Sequence, residues 1–292
     1  MSDNFARPEV LVSTDWLADR LEDPDLRVFD CTVHLRPLPD NSGQQAASAR
    51  GDYEAGHIPG SAFIDLQDDL CDPSSPLRFV VPAADAFTAA MSRLGVGPGH
   101  RVVLYDRSRN QWAARVWWML RGFGFDDAAV LDGGWPKWTA EGRPVSTEPA
   151  QYPAARFEAR PRPEMFADKD AVRAGIDDPE THLLNALTRE QHAGQGGVHY
   201  GRAGRIPGSA VVPARDLIEP DTQAYKPAAE LRRLFAEAGV LDGKRVIVYC
   251  GGGIAASSDA LILSALGVED VAVYTNSLQE WAPDAACPME TD

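Results

Sequence analysis

Short apolar runs alternate along this chain with longer stretches whose apolar positions recur at helical spacing. The runs at 27–30, 102–105, 128–131, 183–184, 246–249 and 271–274 predict strands. The stretches at 83–94, 111–121, 228–238 and 255–266 predict helices. Strand and helix in alternation imply an α/β fold, with a mainly parallel sheet and helices on both of its faces. In such sheets ligands sit beyond the C-terminal ends of the strands, which is where Asp106 and Cys250 fall.

The pattern occurs twice. Arg101-Val102-Val103-Leu104-Tyr105-Asp106 matches Arg245-Val246-Ile247-Val248-Tyr249-Cys250, and Leu94-Gly95-Val96 matches Ala238-Gly239-Val240 at the same offset. Upstream, His57-Ile58-Pro59-Gly60-Ser61-Ala62 matches Arg205-Ile206-Pro207-Gly208-Ser209-Ala210, and Val28-Phe29-Asp30 matches Leu183-Leu184-Asn185. Downstream, Trp138 matches Trp281. Separated anchors in one order imply an internal duplication with domain-sized units. Residues 139–163 hold five prolines in a mostly polar stretch and read as an extended linker over the surface, with the boundary near Gln151. The expected division is a first domain over 8–140, a linker over 141–163 and a second domain over 164–292.

Composition narrows the function classes. With 28 basic and 43 acidic residues the net charge is -15, which argues against nucleic acid or an anionic membrane as the main partner. The first ten residues lack a basic segment leading into an apolar one, and no apolar run reaches the length needed to span a bilayer. A cytoplasmic location is expected. Cysteines at 31, 71, 250 and 287 form no CxxC pair and no zinc spacing, so neither a disulfide framework nor a metal is expected, and no cofactor is implied.

Cys250 closes an apolar run and opens Gly251-Gly252-Gly253, after which a helix begins. A strand-to-helix turn without side chains lets backbone N–H groups curl toward the sulfur, while the helix N-terminus adds partial positive charge. Both favour the thiolate, which is the nucleophile. N–H groups from Gly251, Gly252, Gly253, Ile254 and Ala255 are the candidate cradle, and each charge-assisted bond is worth about 1.5–3 kcal/mol. Ser257 and Ser258, on the first helical turn, read as capping or solvated residues, and His57 reads as a structural hydrogen-bonding residue in a turn.

These residues resemble the rhodanese sulfurtransferases of the two-domain type, which includes thiosulfate and 3-mercaptopyruvate sulfurtransferases. The resemblance rests on Gly56-His57-Ile58-Pro59-Gly60-Ser61, on the Tyr249-Cys250-Gly251 turn, on Leu131-Asp132-Gly133-Gly134-Trp135-Pro136-Lys137-Trp138 and on the linker. It implies two tandem rhodanese-like domains of which the second is catalytic, in agreement with Asp106 standing where the second half has Cys250. The implied reaction moves a sulfane sulfur from a small-molecule donor through a Cys250 persulfide to a thiol or cyanide acceptor, with a thioredoxin-like protein as one such acceptor.

The glycines after Cys250 resemble the mercaptopyruvate type more than the thiosulfate type, which places basic side chains there. The family arginine expected before the turn of the second half aligns with Gln191-His192, so Arg202 and Arg205 in the segment 199–205 are the candidates to bind the donor's carboxylate. Thr275-Asn276-Ser277-Leu278 and Asn185-Ala186-Leu187 also depart from the family's Asp-Gly-Ser-Trp and Asp-Ala-Arg. A Cys-dependent phosphatase would need an arginine six residues after the cysteine, where this chain has Ala256. A noncatalytic binding module would have no need to keep the cysteine and its glycines.

Overall fold

The computed structural model describes residues 4–38, 44–198 and 200–292. The first half contains β1 (Leu11–Val12), β2 (Leu26–Asp30), β3 (Val33–Pro37), β4 (Gln44–Ser48), β5 (Ala62–Phe63), β6 (Arg101–Tyr105) and β7 (Ala128–Leu131). The second contains β8 (Phe166–Ala167), β9 (Thr181–Asn185), β10 (Ala210–Val211), β11 (Arg245–Tyr249) and β12 (Val271–Tyr274). One parallel sheet runs β1-β7-β6-β2-β5 and the other runs β8-β12-β11-β9-β10, the same order strand for strand. The α/β reading therefore holds, and the repeated sequence is a repeated fold. β6 and β11 bury every residue after their first, because helices cover both faces of each sheet.

The repeated anchors do the same work in each copy. Tyr105 Oη accepts from the Ile58 N–H at 3.3 Å and lies 3.0 Å from Ser61 Oγ. Tyr249 Oη accepts from the Ile206 N–H at 3.1 Å and lies 2.6 Å from Ser209 Oγ. Each Ile-Pro-Gly-Ser turn is thus tied to the tyrosine that ends the central strand. Trp138 and Trp281 are buried, and each indole N–H donates to a proline carbonyl, of Pro144 and Pro288. His57 is buried with its ring nitrogens against the carbonyls of Tyr53 and Glu148, the structural role expected of it.

Two features go beyond the sequence reading. β3 and β4 form an antiparallel hairpin outside the main sheet; the polar run Gln44-Gln45-Ala46-Ala47-Ser48 carries no strand signal of its own. The segment after residue 142 runs as an extended strap bound to the first half. Its Ala155 N–H donates to Ser92 O and its Arg160 N–H to Phe123 O, Tyr152 Oη donates to Gly60 O, and Phe157 is buried. Gly95, at φ +77, makes room for it.

The halves meet along the helices that follow the two loops, Gln111–Gly122 and Ile254–Ala265, which pack on each other. Every residue of the second except Ala255 is buried, and Trp112 to Leu120 are buried in the first.

A Cβ on Gly95 would lie 2.5 Å from Tyr152 Cβ and 2.7 Å from Pro153 O. Gly95→Ala is expected to destabilise the protein by about 2 kcal/mol through overpacking and a disfavoured left-handed backbone. A urea titration reads this as a lower midpoint at unchanged slope; an unchanged midpoint would mean that the strap is not held.

Candidate active site

Tyr249 ends β11, and Cys250 is the next residue, at the C-terminal edge of the second sheet. Its backbone is fixed on both sides. The Cys250 N–H donates to Ser277 Oγ at 3.0 Å, and the Ser277 hydroxyl in turn donates to Tyr274 O at 2.6 Å. Ser277 adopts φ +52, which points its side chain back into the loop. The carbonyls of Cys250 and Gly251 accept from the N–H groups of Leu278 and Gln279 at 3.1 and 2.9 Å. Gln279 Nε2 in turn donates to Arg78 O at 2.7 Å, joining the loop to the first half.

Two of the three glycines stand where a side chain would not fit. A Cβ on Gly251 would fall 2.0 Å from the Tyr200 hydroxyl, and one on Gly253, at φ +81, would fall 2.5 Å from Thr275 O. The Gly253 N–H donates to Cys250 Sγ at 3.2 Å. The N–H groups of Gly251, Gly252, Ile254 and Ala255 have no acceptor among the described residues, so they remain free for an anion at the helix start. Ser257 and Ser258 are not solvated: Ser257 Oγ donates to Gly253 O at 2.7 Å, and Ser258 Oγ meets Tyr225 Oη at 3.0 Å. Their apolar neighbours along the helix carry them into the interface between the halves.

The first half shows what such a loop does with an anion. Asp106 is fully buried, and its carboxylate accepts from the N–H groups of Ser108, Asn110, Trp112 and Ala113 at 2.7, 3.1, 2.8 and 3.0 Å. Burial pushes its carboxyl up to about 7, and these N–H groups pull the other way. The cradle of the first copy is filled by its own side chain.

A cavity of about 250 Å³ opens over Cys250. Trp112, Phe79, Leu35 and Gln44 of the first half form one wall, so the β3–β4 hairpin reaches the site. Gly251, Gly252, Ile254 and Ala255 line the floor, with Thr188, Gln191 and Tyr200 beside them. Burial, then the neighbouring Cys250, pushes Tyr200 up to about 12, which keeps its hydroxyl protonated. Among the described residues the lining holds Arg78, Arg109 and Arg215 and no carboxylate, in a chain of net charge -15. Arg109 makes no hydrogen bond or ion pair with any described residue, whereas Arg215 pairs with Glu190 at 3.4 Å.

Arg202 and Arg205 are elsewhere. Arg202 donates to the carbonyls of Ala282, Asp284 and Cys287, each at 2.7 Å, and Arg205 pairs with Glu290 and Asp292 at 2.9 and 2.6 Å. The last turn of the chain returns over their segment and takes up their donors, so neither lines the cavity; His199 lies outside the described residues. The cavity arginines escaped the sequence reading because Arg78 and Arg109 belong to the first half. The other cysteines lie outside this cavity. Burial, with Asp30 and Asp106 nearby, pushes Cys31 well up, burial pushes Cys71 up to about 11, and Cys287 is buried with Arg173 donating to its sulfur at 3.4 Å.

Rhodanese-like domains match residues 13–141 and 168–284. The sulfur carrier protein TtuD of Thermus thermophilus is 33% identical over 98% of this chain and 98% of its own. The 3-mercaptopyruvate sulfurtransferase of Escherichia coli K12 is 31% identical over 96% of this chain and 97% of its own. The crystal structure of SseA from Escherichia coli, a 3-mercaptopyruvate sulfotransferase, superposes with a TM-score of 0.81 at 29% identity, covering 92% of this chain and 98% of that one. With both sheets, both loops and nearly the full length accounted for, the chain belongs to the rhodanese family and carries two rhodanese-like domains in tandem.

Proposed function

We propose that this chain is a sulfurtransferase that takes the sulfur of 3-mercaptopyruvate onto Cys250 and hands it to a thiol or cyanide. The observation that carries the reading is the cavity over Cys250, with free loop N–H groups at its floor and three arginines in its walls. Cys250 thiolate attacks the donor sulfur; the carbon–sulfur bond breaks, its electron pair leaves with the pyruvate enolate, and a proton restores pyruvate. The outer sulfur of the resulting persulfide is then attacked by an acceptor thiolate or by cyanide, and Cys250 leaves as thiolate. The inner sulfur stays on the protein throughout.

Sulfur is large and its charge diffuse, which suits several N–H donors better than one strong partner. The donor's carboxylate needs a cation, and Arg109 is the cavity arginine whose donors no described residue occupies, with Arg78 and Arg215 at the same cavity. The phenol of Tyr200 lies against Gly251 and is placed to hydrogen bond the keto oxygen. Thiosulfate is the alternative donor, since the same arginines suit a dianion. A thioredoxin-like acceptor and a cytoplasmic setting fit four cysteines that are all free.

Steady-state kinetics with both donors and cyanide as acceptor test the assignment. Wild type is expected to turn over 3-mercaptopyruvate faster than thiosulfate, and Cys250→Ser neither; the reverse donor order would move the reading to thiosulfate, and activity retained in Cys250→Ser would end it. Arg109→Gln is expected to raise KM for 3-mercaptopyruvate about tenfold, the loss of one charge-assisted contact, with kcat within a factor of about three. An unchanged KM would remove Arg109 from the donor site.

A further inference from the structure

Arg115 sits in the helix Gln111–Gly122 of the first half and is 1% exposed. No ion pair joins it to a carboxylate among the described residues, which is unusual for a buried guanidinium. One donor is used: Nη2 donates to Phe79 O at 2.7 Å, and Phe79 holds the left-handed φ of +60 that turns this carbonyl toward it. Nε and Nη1 have no hydrogen-bond partner among the described residues. Nη1 reaches across the interface to the Cys250 loop, lying 3.2 Å from where a Cβ on Gly253 would be. Gly253 is the residue whose N–H donates to the Cys250 sulfur.

We infer that Arg115 is the fixed counter-cation of the Cys250 sulfur, supplied by the first half to hold the thiolate and persulfide anions. It is a positioning residue, because Gly253 stands between it and the sulfur. The inference rests on the reading of Cys250 as the sulfur carrier. The acidic groups that interact with the guanidinium are Cys71 and, less strongly, Cys250, and burial lowers it only to about 10, so it stays charged at neutral pH. Among the described residues Tyr200, Arg78, Arg109 and Arg215 are the other titratable or charged groups around the loop and its cavity, and burial keeps the Cys71 thiol protonated. With no carboxylate facing it, the cation is compensated when the Cys250 sulfur is negative and stranded when it is not.

Two local features accompany the buried positive charge. Gly253 lacks a side chain because of its backbone angle and of Thr275 O, and a Cβ there would also crowd the guanidinium. The Phe79 carbonyl, fixed by a strained residue, anchors the other end of the fork so that Nη1 does not swing away.

Arg115→Met, similar in length and uncharged, and Arg115→Lys are the variants, with far-UV circular dichroism and thermal melting to verify the fold. The readout is the rate of Cys250 alkylation by iodoacetamide, located by peptide mass, at pH 6.5 and pH 9.5. Arg115→Met is expected to slow alkylation at least tenfold at pH 6.5 and less than threefold at pH 9.5, and Arg115→Lys to recover most of the loss. Equal slowing at both pH values, or none in a folded variant, would overturn the inference. If Arg115→Met does not fold, Cys250→Ser in the wild-type background serves instead. Removing the anion strands the cation, so the wild type should exceed Cys250→Ser in Tm by more at pH 8.5 than at pH 5.5, because the stabilising thiolate is present at the higher pH and lost on acidification. A gap independent of pH would overturn it. Alkylation needs no sulfur donor, so a wild type that takes up no sulfur would defeat the functional reading and leave the coupling of Arg115 to Cys250 still measured.

Discussion

The helix that follows the Cys250 loop has no polar face, so it needs cover on all sides, and the helix that follows the Asp106 loop supplies the side its own sheet leaves open. Burying two apolar helices against each other fixes the halves in register, and the site depends on that register. It brings Phe79, Trp112 and Arg109 to the cavity over Cys250 and sets Arg115 behind Gly253. It also lets the halves bond each other directly, through Gln279 to Arg78 O on one side and through Asn110 to Gln223 O on the other. A second domain alone would have the cysteine and its floor without the facing wall.

Duplication followed by division of labour accounts for the asymmetry. Both copies build a strand, a turn and a helix whose N–H groups converge on one point. In the first copy Asp106 occupies that point with its own carboxylate, and the loop is one residue longer before its helix begins. In the second the residue at the strand end is a thiol, three glycines follow, and the N–H groups stay free for a sulfur. With a carboxylate in place of the thiol, the first copy contributes Arg78 and Arg109 to the cavity over Cys250, beside Arg215 of the second.

Much of this was legible in the sequence, for reasons that particular residues make plain. Strands such as 102–105 and 246–249 are continuous apolar runs, and the matched Ile-Pro-Gly-Ser and Trp anchors hold equivalent positions through equivalent hydrogen bonds. Cys250 stood out because glycine runs and strand ends are local signals. The cavity arginines did not, since no local pattern separates Arg109 from Arg202; which of them meets the cavity is decided by the packing of the halves and by where the last residues of the chain return. Arg115 was hidden for the same reason, inside an otherwise apolar helix. Ser277 lay in a segment noted only for its departure from a pattern, and its role, holding the Cys250 N–H from a left-handed backbone, is a property of the fold.

The central claim is that Cys250 carries the sulfur, and the mass of the intact protein tests it most directly. After brief exposure to 3-mercaptopyruvate and removal of excess donor, the wild type should gain one sulfur atom, located on the peptide that contains Cys250 and lost again on addition of cyanide. No gain with either 3-mercaptopyruvate or thiosulfate, or an equal gain in Cys250→Ser, would contradict the account.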